Sequence, residues 1–209
     1  MKLSIGNKTV LCSRSVTLLG IIIDNHLNFD EHITNLCKTA KRKVNALERI
    51  IPKLNNENSS YILVNSFFYS IFQYCPTIWM FCRKAMNTKI NKLHRRVLKL
   101  LHKQHNLTLN ELLQIDTSHS IHIRNLQNLI IEVYKSIHSL NPSYMKEIFS
   151  TKTVQYNLRN QDLLNIPKSL REAYGFRSIA FRSAILWNLL PPNIKQAKDL
   201  TTFKTLIKQ

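Results

Sequence analysis

Residues 87–103, NTKINKLHRRVLKLLHK, decide the fold of this chain because they carry two interleaved patterns of helical spacing. The apolar pattern recurs every three or four residues, which predicts one buried face of an α-helix. Its members are Ile90, Leu93, Val97, Leu98 and Leu101. The second pattern is cationic with the same period, so its side chains form a stripe on the helix surface. Its members are Lys89, Lys92, Arg96, Lys99 and Lys103. The segment is therefore predicted to be an amphipathic helix, and we call these five cations the basic stripe.

The charge of the whole chain is strongly positive, +18 from 30 Lys and Arg against 12 Asp and Glu. No acidic residue lies between Glu57 and Glu111, so no neighbour in sequence neutralises the stripe. A cationic stripe can follow a phosphate backbone and gain salt-dependent affinity from counterion release. We therefore expect a nucleic-acid partner. The candidate phosphate-binding residues are Lys89, Lys92, Arg95, Arg96, Lys99 and Lys103. An ordinary solvated helix face is the alternative that charge alone leaves open.

The rest of the chain predicts a mainly α-helical protein with a small antiparallel β element at its N-terminus. Residues 3–11 alternate around a glycine-containing turn, which is typical of a hairpin. Residues 16–23 form a near-continuous apolar run, which predicts a third strand covered on both faces. We expect three regions, namely the β element at 1–27, a helical bundle at 28–105, and a second helical unit at 106–209 with a basic loop at 150–175.

Spacing and capping signals place the helices within these regions. A long amphipathic helix is predicted to begin near Asp30 and to end at Pro52. Thr108 and Glu111 form a capping box that opens a short helix. Further helices are predicted over residues 59–76, 118–140, 178–189 and 199–208.

Residues that enzymes use for chemistry are scattered rather than grouped. Three glycines are too few for a phosphate-binding loop, and the four cysteines form no Cys-x-x-Cys pair. The pairs His119/His122 and His102/His105 have no nearby carboxylate or cysteine to complete a metal site. Asp24 is expected to cap the turn after the strand. We expect no cofactor and no small-molecule substrate for this chain, and an intracellular protein of the nucleus or cytoplasm that is not secreted.

Residues 62–82 carry no charge and are long enough to cross a bilayer. Asn65, Gln73 and Pro76 oppose a membrane span because they are costly or disruptive in lipid. A buried hairpin of helices is the main interpretation, with its aromatic side chains packed in the core. The alternative function is a membrane-associated or protein-interaction module built on this stretch.

Motifs spread along the chain carry a resemblance to a known family. They are LLGIIID at 18–24, HRRVLK at 94–99, Arg159-Asn160, WNLLP at 187–191 and Phe203-Lys204. Together they resemble the downstream part of the reverse transcriptase of jockey-like non-LTR retrotransposons. The resemblance covers nearly the whole chain. The combination of motifs is specific for the family, whereas the Leu19-Gly20 pair alone would be a weak signal.

The resemblance implies both a fold and a function. Residues 1–27 would be the end of the polymerase palm, with a primer grip at Leu19 and Gly20, and the following helices would form the thumb. Arg159 would lie in a basic nucleic-acid-binding loop. The catalytic Asp-Asp pair of the palm is missing from this sequence, although polymerase chemistry needs clustered carboxylates and the intact family enzyme would use Mg²⁺.

We therefore expect a fragment of an RNA-directed DNA polymerase, from a truncated gene copy or a partial gene model. It would be inactive alone and would retain binding to RNA–DNA or DNA duplex. The missing palm and fingers of an intact polymerase would be its protein partners, and a membrane is not expected to be one.

Overall fold

The computed structural model describes residues 3–6, 8–10, 13–151, 163–169 and 175–208. As the sequence predicts, the chain is mainly α-helical and carries small antiparallel β elements near its N-terminus.

Two short hairpins form the β elements. In the first, β1 (Leu3–Ile5) pairs with β2 (Lys8–Val10), which confirms the hairpin predicted there. In the second, β3 (Ser15–Leu18) pairs with β4 (Ile21–Asp24). The prediction of one strand over 16–23 is therefore wrong.

A tight turn at Leu19 and Gly20 divides the apolar run into β3 and β4. Both residues have positive φ, 48° and 83°, as a two-residue hairpin turn whose twist matches its strands requires. The run is also not covered on both faces, because Val16 and Leu18 are 57% and 59% exposed while Ile21 is buried. The apolar run did not predict the turn, because a single glycine within such a run does not distinguish a turn from a continuous strand.

Helices make up most of the remaining described chain. They are α1 (Asp30–Ile50), α2 (Glu57–Val64), α3 (Ser70–Gln73), α4 (Pro76–Trp79), α5 (Lys84–His102), α6 (Leu109–Ile115), α7 (Ile121–Ile137), α8 (Ser143–Ile148), α9 (Ile179–Leu189), α10 (Pro192–Lys195) and α11 (Leu200–Lys208). A 3₁₀ turn, Ile51–Lys53, follows α1, and a π-helical turn, Asn65–Tyr69, joins α2 to α3.

Local polar contacts fix two of the helix starts. The predicted capping box of α6 is confirmed, because Glu111 N–H donates to Thr108 Oγ1 at 3.4 Å and Thr108 N–H donates to the Glu111 carboxylate at 2.6 Å. Before α1, the Asp24 carboxylate accepts backbone N–H bonds from His26, Asn28 and Phe29. Burial raises the pKa of Asp24, but these donors outweigh it and hold that pKa below its ordinary value. The expected role of Asp24 in the turn is thus confirmed.

A first hydrophobic cluster lies between α1 and α5. Ion pairs join Asp30 to Arg83 at 3.3 Å and Glu48 to Arg96 at 2.5 Å, so the two helices run side by side in the same direction. The segment from α2 to α4 packs against both helices. Its buried members include Val64, Phe68, Tyr69, Phe72 and Trp79, which places much of the uncharged stretch 62–82 in this core. Across the parts of the chain that are described, no helix combines the length and apolarity that crossing a membrane requires.

A second hydrophobic cluster is built on α7, α9 and α11. Tyr134, Trp187 and Phe203 are its large aromatic members. Helix α7 links the clusters, because Ile121 in its first turn packs into the first and Ile130 into the second.

Candidate nucleic-acid interface

The basic stripe lies on α5 and at its C-terminal end, but its side chains have different surroundings. Lys89, Lys92 and Lys103 are exposed to solvent, whereas Arg96 and Lys99 are half-buried, as is the adjoining Arg95. Lys103 ends the helix in a left-handed conformation with φ 55°. Spacing alone could not separate these two groups.

Each of the three half-buried cations has a partner inside the chain. Arg96 donates two parallel hydrogen bonds to Glu48, Nε to Oε1 at 2.5 Å and Nη2 to Oε2 at 2.6 Å. Pairing through two parallel hydrogen bonds adds a fixed geometry to the attraction between the charges, and here it connects α5 to α1. Arg95 Nε donates to Leu107 O at 2.8 Å, and Lys99 Nζ donates to His105 O. These two bonds hold the turn between α5 and α6.

The interior face of α5 is anchored by a buried histidine. His94 Nε2 shares a hydrogen bond of 2.8 Å with the Tyr69 hydroxyl, and the His94 ring stacks on Phe68. Burial, with a smaller contribution in the same direction from the nearby Arg124, lowers the pKa of His94 to about 4. His94 is therefore a neutral core residue at neutral pH, and the stripe stays on the opposite side of the helix.

Helix α1 adds cations that reasoning on one helix at a time did not include in the interface. Lys38, Lys41 and Arg42 are all exposed. Lys41 precedes Glu48 by two helical turns, so both lie on the side of α1 that meets α5. The stripe thus continues from α5 onto α1, and only the parallel arrangement of the helices shows it.

Most of the described carboxylates are already engaged in contacts inside the chain, among them Glu48, which pairs with Arg96 of the basic stripe. Besides Glu48 and the cap at Glu111, Asp116 accepts from His102 Nε2 at 2.8 Å and from the Tyr61 hydroxyl at 3.0 Å. Glu132 pairs with Lys135 at 2.6 Å within α7. The exposed lysines of α5 and α1 consequently face solvent with little compensating charge.

The two residues expected at a primer grip lie in the β3–β4 turn. Leu19 is 83% exposed, and its carbonyl accepts a hydrogen bond of 2.6 Å from the Tyr74 hydroxyl. The hairpin is thereby fastened to the helical region just before α4. Arg159 lies outside the described residues, as does most of the predicted loop at 150–175.

The WNLLP motif at 187–191 has a structural role in the second cluster. Trp187 is buried and lies 6.1 Å from Phe203, centroid to centroid. Asn188 clamps the backbone of Leu164, accepting from its N–H at 2.8 Å and donating to its carbonyl at 3.0 Å. Within the described ranges, no three His, Cys, Asp or Glu side chains come together as metal ligands would.

Comparison with protein-family models, with curated proteins and with solved structures finds no match for this chain. The arrangement of cations is therefore the basis for assigning a function.

Proposed function

We propose that this protein binds duplex nucleic acid, RNA–DNA hybrid or DNA, through phosphate contacts from exposed lysines of α5 and α1. The observation that carries the proposal is that Lys89, Lys92 and Lys103 of α5 are exposed on a helix whose Arg96 is paired with Glu48 of α1, two helical turns after the exposed Lys41. A net charge of +18 favours a polyanion as the partner.

The parallel helices supply a rigid support for these lysines. Lys89 and Lys103 are separated by about 21 Å along the helix axis at about 1.5 Å per residue. That length matches several successive phosphates, which lie about 3.4 Å apart along one strand of a duplex. Arg95, Arg96 and Lys99 act as positioning residues, because their bonds to Leu107, Glu48 and His105 fix α5 against α6 and α1.

The resemblance of the motifs to the thumb and C-terminal region of a non-LTR retrotransposon reverse transcriptase agrees with this binding role. In that interpretation the chain is a polymerase fragment that holds a template-primer without copying it. An extension assay with a primed template and Mg²⁺ is expected to show no nucleotide incorporation, and incorporation by the purified chain would contradict the interpretation.

The test of binding is a salt titration with a labelled 16-base-pair RNA–DNA hybrid. The variant Lys89→Gln/Lys92→Gln/Lys103→Gln should bind more weakly than the wild type. The slope of log K against log salt should also become shallower by about 0.9 for each phosphate that the variant no longer neutralises. Glutamine keeps the helix and the polar surface while removing charge.

A charge-matched control separates a local interface from general attraction. The variant Lys146→Gln/Lys204→Gln/Lys208→Gln removes the same charge from exposed positions on α8 and α11. We expect it to keep nearly the wild-type affinity and slope. Equal weakening in both variants would overturn the assignment to α5, as would a preference for single strands over duplex of the same length.

A further inference from the structure

Two adjoining cavities lie where the start of α5 meets α7 and α9. The larger has a volume of about 450 Å³ and the smaller about 270 Å³. Both are lined by Phe81, Cys82 and Arg177, so they form one groove with two compartments. The volume of the larger cavity lies within the range that is typical of sites for small ligands, about 300–1,000 Å³.

The larger compartment is positively charged. Arg83 and Lys84 contribute from the start of α5 and Arg182 from α9, and none of the described residues that line the compartment is acidic. Arg83 also pairs with Asp30 at 3.3 Å. In the part of the chain that is described, Lys84 and Arg182 form no ion pair. The compartment therefore favours an anion.

Besides these cations, the wall contains the thiol of Cys82 and the imidazole of His122, and both are uncharged at neutral pH. Burial raises the pKa of the Cys82 thiol to about 11, and burial lowers the pKa of His122. Neither side chain offsets the charge of the arginines and lysine.

The smaller compartment is lined mainly by apolar side chains, with a few polar ones among them. The apolar members are Leu27, Phe29, Ile78, Phe81 and Ile179, and the polar ones include Asn28, Thr77 and Ser178. Phe81 stands at the junction, with the Arg182 guanidinium 5.9 Å from its ring centroid. A flat ring with hydrogen-bonding edges fits this composition better than an alkyl chain, because an alkyl chain would remove water from the Asn28 and Thr77 side chains without replacing its hydrogen bonds.

We propose that this groove binds one nucleotide of an unpaired nucleic-acid segment, with the base against Phe81 and the phosphate among Arg83, Lys84 and Arg182. The inference rests on the proposed function, since the segment would extend from the duplex held along α5. Lys84 and Lys103 lie about 28 Å apart along α5 at about 1.5 Å per residue. One helix thus carries the duplex surface and one wall of the groove.

The test compares the full chain binding to three labelled RNA–DNA hybrids with the same paired region. One is blunt, one has a three-nucleotide single-stranded overhang, and one has the same overhang with all bases removed; both overhang polarities are used. Base stacking on aromatic residues contributes enough for the intact overhang to raise affinity about tenfold over the blunt hybrid. The overhang without bases should lose most of that gain.

Two variants test whether the groove causes the gain in affinity from the overhang. Lys84→Gln/Arg182→Gln alters exposed cations, and Phe81→Leu removes the ring while keeping an apolar side chain. Each should reduce the gain from the overhang to less than threefold and leave affinity for the blunt hybrid unchanged, which also shows that the variants are folded. Lys89→Gln/Lys92→Gln/Lys103→Gln should instead weaken binding to all hybrids and keep the ratio between overhang and blunt.

The possible outcomes distinguish the two proposals. If the blunt hybrid does not bind, the duplex assignment fails, and a six-nucleotide single strand then tests the groove alone with the same variants. If neither overhang polarity raises affinity, or the gain survives in both groove variants, the nucleotide site is overturned. A full gain from the overhang without bases also overturns it, because only phosphate contacts would remain.

Discussion

The two hydrophobic clusters of this chain hold their helices together with different chemistry. The first encloses the polar pair His94 and Tyr69 and is bordered by the ion pairs Asp30–Arg83 and Glu48–Arg96. The second stacks Tyr134 on Phe203 at 4.2 Å beside Trp187. Stability of the first cluster should therefore depend on pH and salt, while stability of the second should depend mainly on aromatic packing. The difference teaches that the region with the exposed lysines also uses charge to position them.

Removal of the central aromatic residue of the second cluster should have the largest effect. Trp187→Ala deletes a buried ring, and such deletions cost about 3–5 kcal/mol because a cavity remains. Relative to the wild type, we expect the variant to accelerate amide hydrogen exchange more in α7, α9 and α11 than in α1 and α5. The neighbouring Leu189 is 76% exposed, and Leu189→Ala should change the free energy of unfolding by less than about 0.5 kcal/mol. Equal acceleration in all five helices would contradict two separable clusters.

The second largest effect should be the dependence of the stability of the first cluster on pH. The pKa of His94 is about 4 in the folded chain against 6.5 for the ordinary side chain. The unfolded chain therefore binds more protons between these values, and the free energy of unfolding falls as pH falls from about 6.5 towards 4. At about 1.4 kcal/mol per pKa unit, the loss is of the order of 3 kcal/mol.

His94→Gln tests this dependence with a side chain that can still form a hydrogen bond with Tyr69. The variant should be less stable at pH 7 but should show a flatter profile between pH 4.5 and 6.5 in urea unfolding. His105→Gln, at an exposed position, should keep the wild-type profile. A wild-type slope in His94→Gln would assign the pH dependence to other groups, of which His32 and His122 also have a pKa lowered by burial.

The amide clamp of the second cluster should contribute less. Asn188→Ala removes both bonds to the Leu164 backbone, and an unpaired backbone group costs about 1–3 kcal/mol if it stays buried. We expect increased proteolysis around residues 163–169 with little change near α5. Asn193→Ala, at an exposed amide position in α10, serves as the control. No increase in cleavage would show that Leu164 is held by packing instead.

Sequence patterns were sufficient for the longer helices and for much of the core, but not for the short helices α8 and α10 or for the candidate interface. Apolar spacing within 87–103 predicted α5, and the Thr108 capping box predicted the start of α6. Both signals are local, since they depend on residues three or four apart. The contact of Arg96 with Glu48 joins residues 48 positions apart, and the groove beside α5 needs α7 and α9. Such features arise from packing, which a pattern within one helix does not contain. The Leu19 turn was missed for a different reason, because its signal was a single glycine.

The smallest effect on stability should come from the ion pair that joins the two parallel helices. Both partners of Glu48–Arg96 are about one-third exposed, and pairs of this kind contribute about 0.2–1 kcal/mol. Glu48→Gln should therefore lower the free energy of unfolding by less than about 1 kcal/mol, and the difference should shrink in high salt.

The same variant should have the opposite effect on binding, because it removes a negative charge from the side of α1 that carries Lys41 and releases the Arg96 guanidinium from its partner. We expect tighter binding to the RNA–DNA hybrid, with a steeper dependence on salt. Glu147→Gln removes one exposed carboxylate from α8 and is the matched control, which should bind as the wild type does. If the two variants bind alike, Glu48 does not border the interface, and the lysines of α1 and α5 act as separate surfaces.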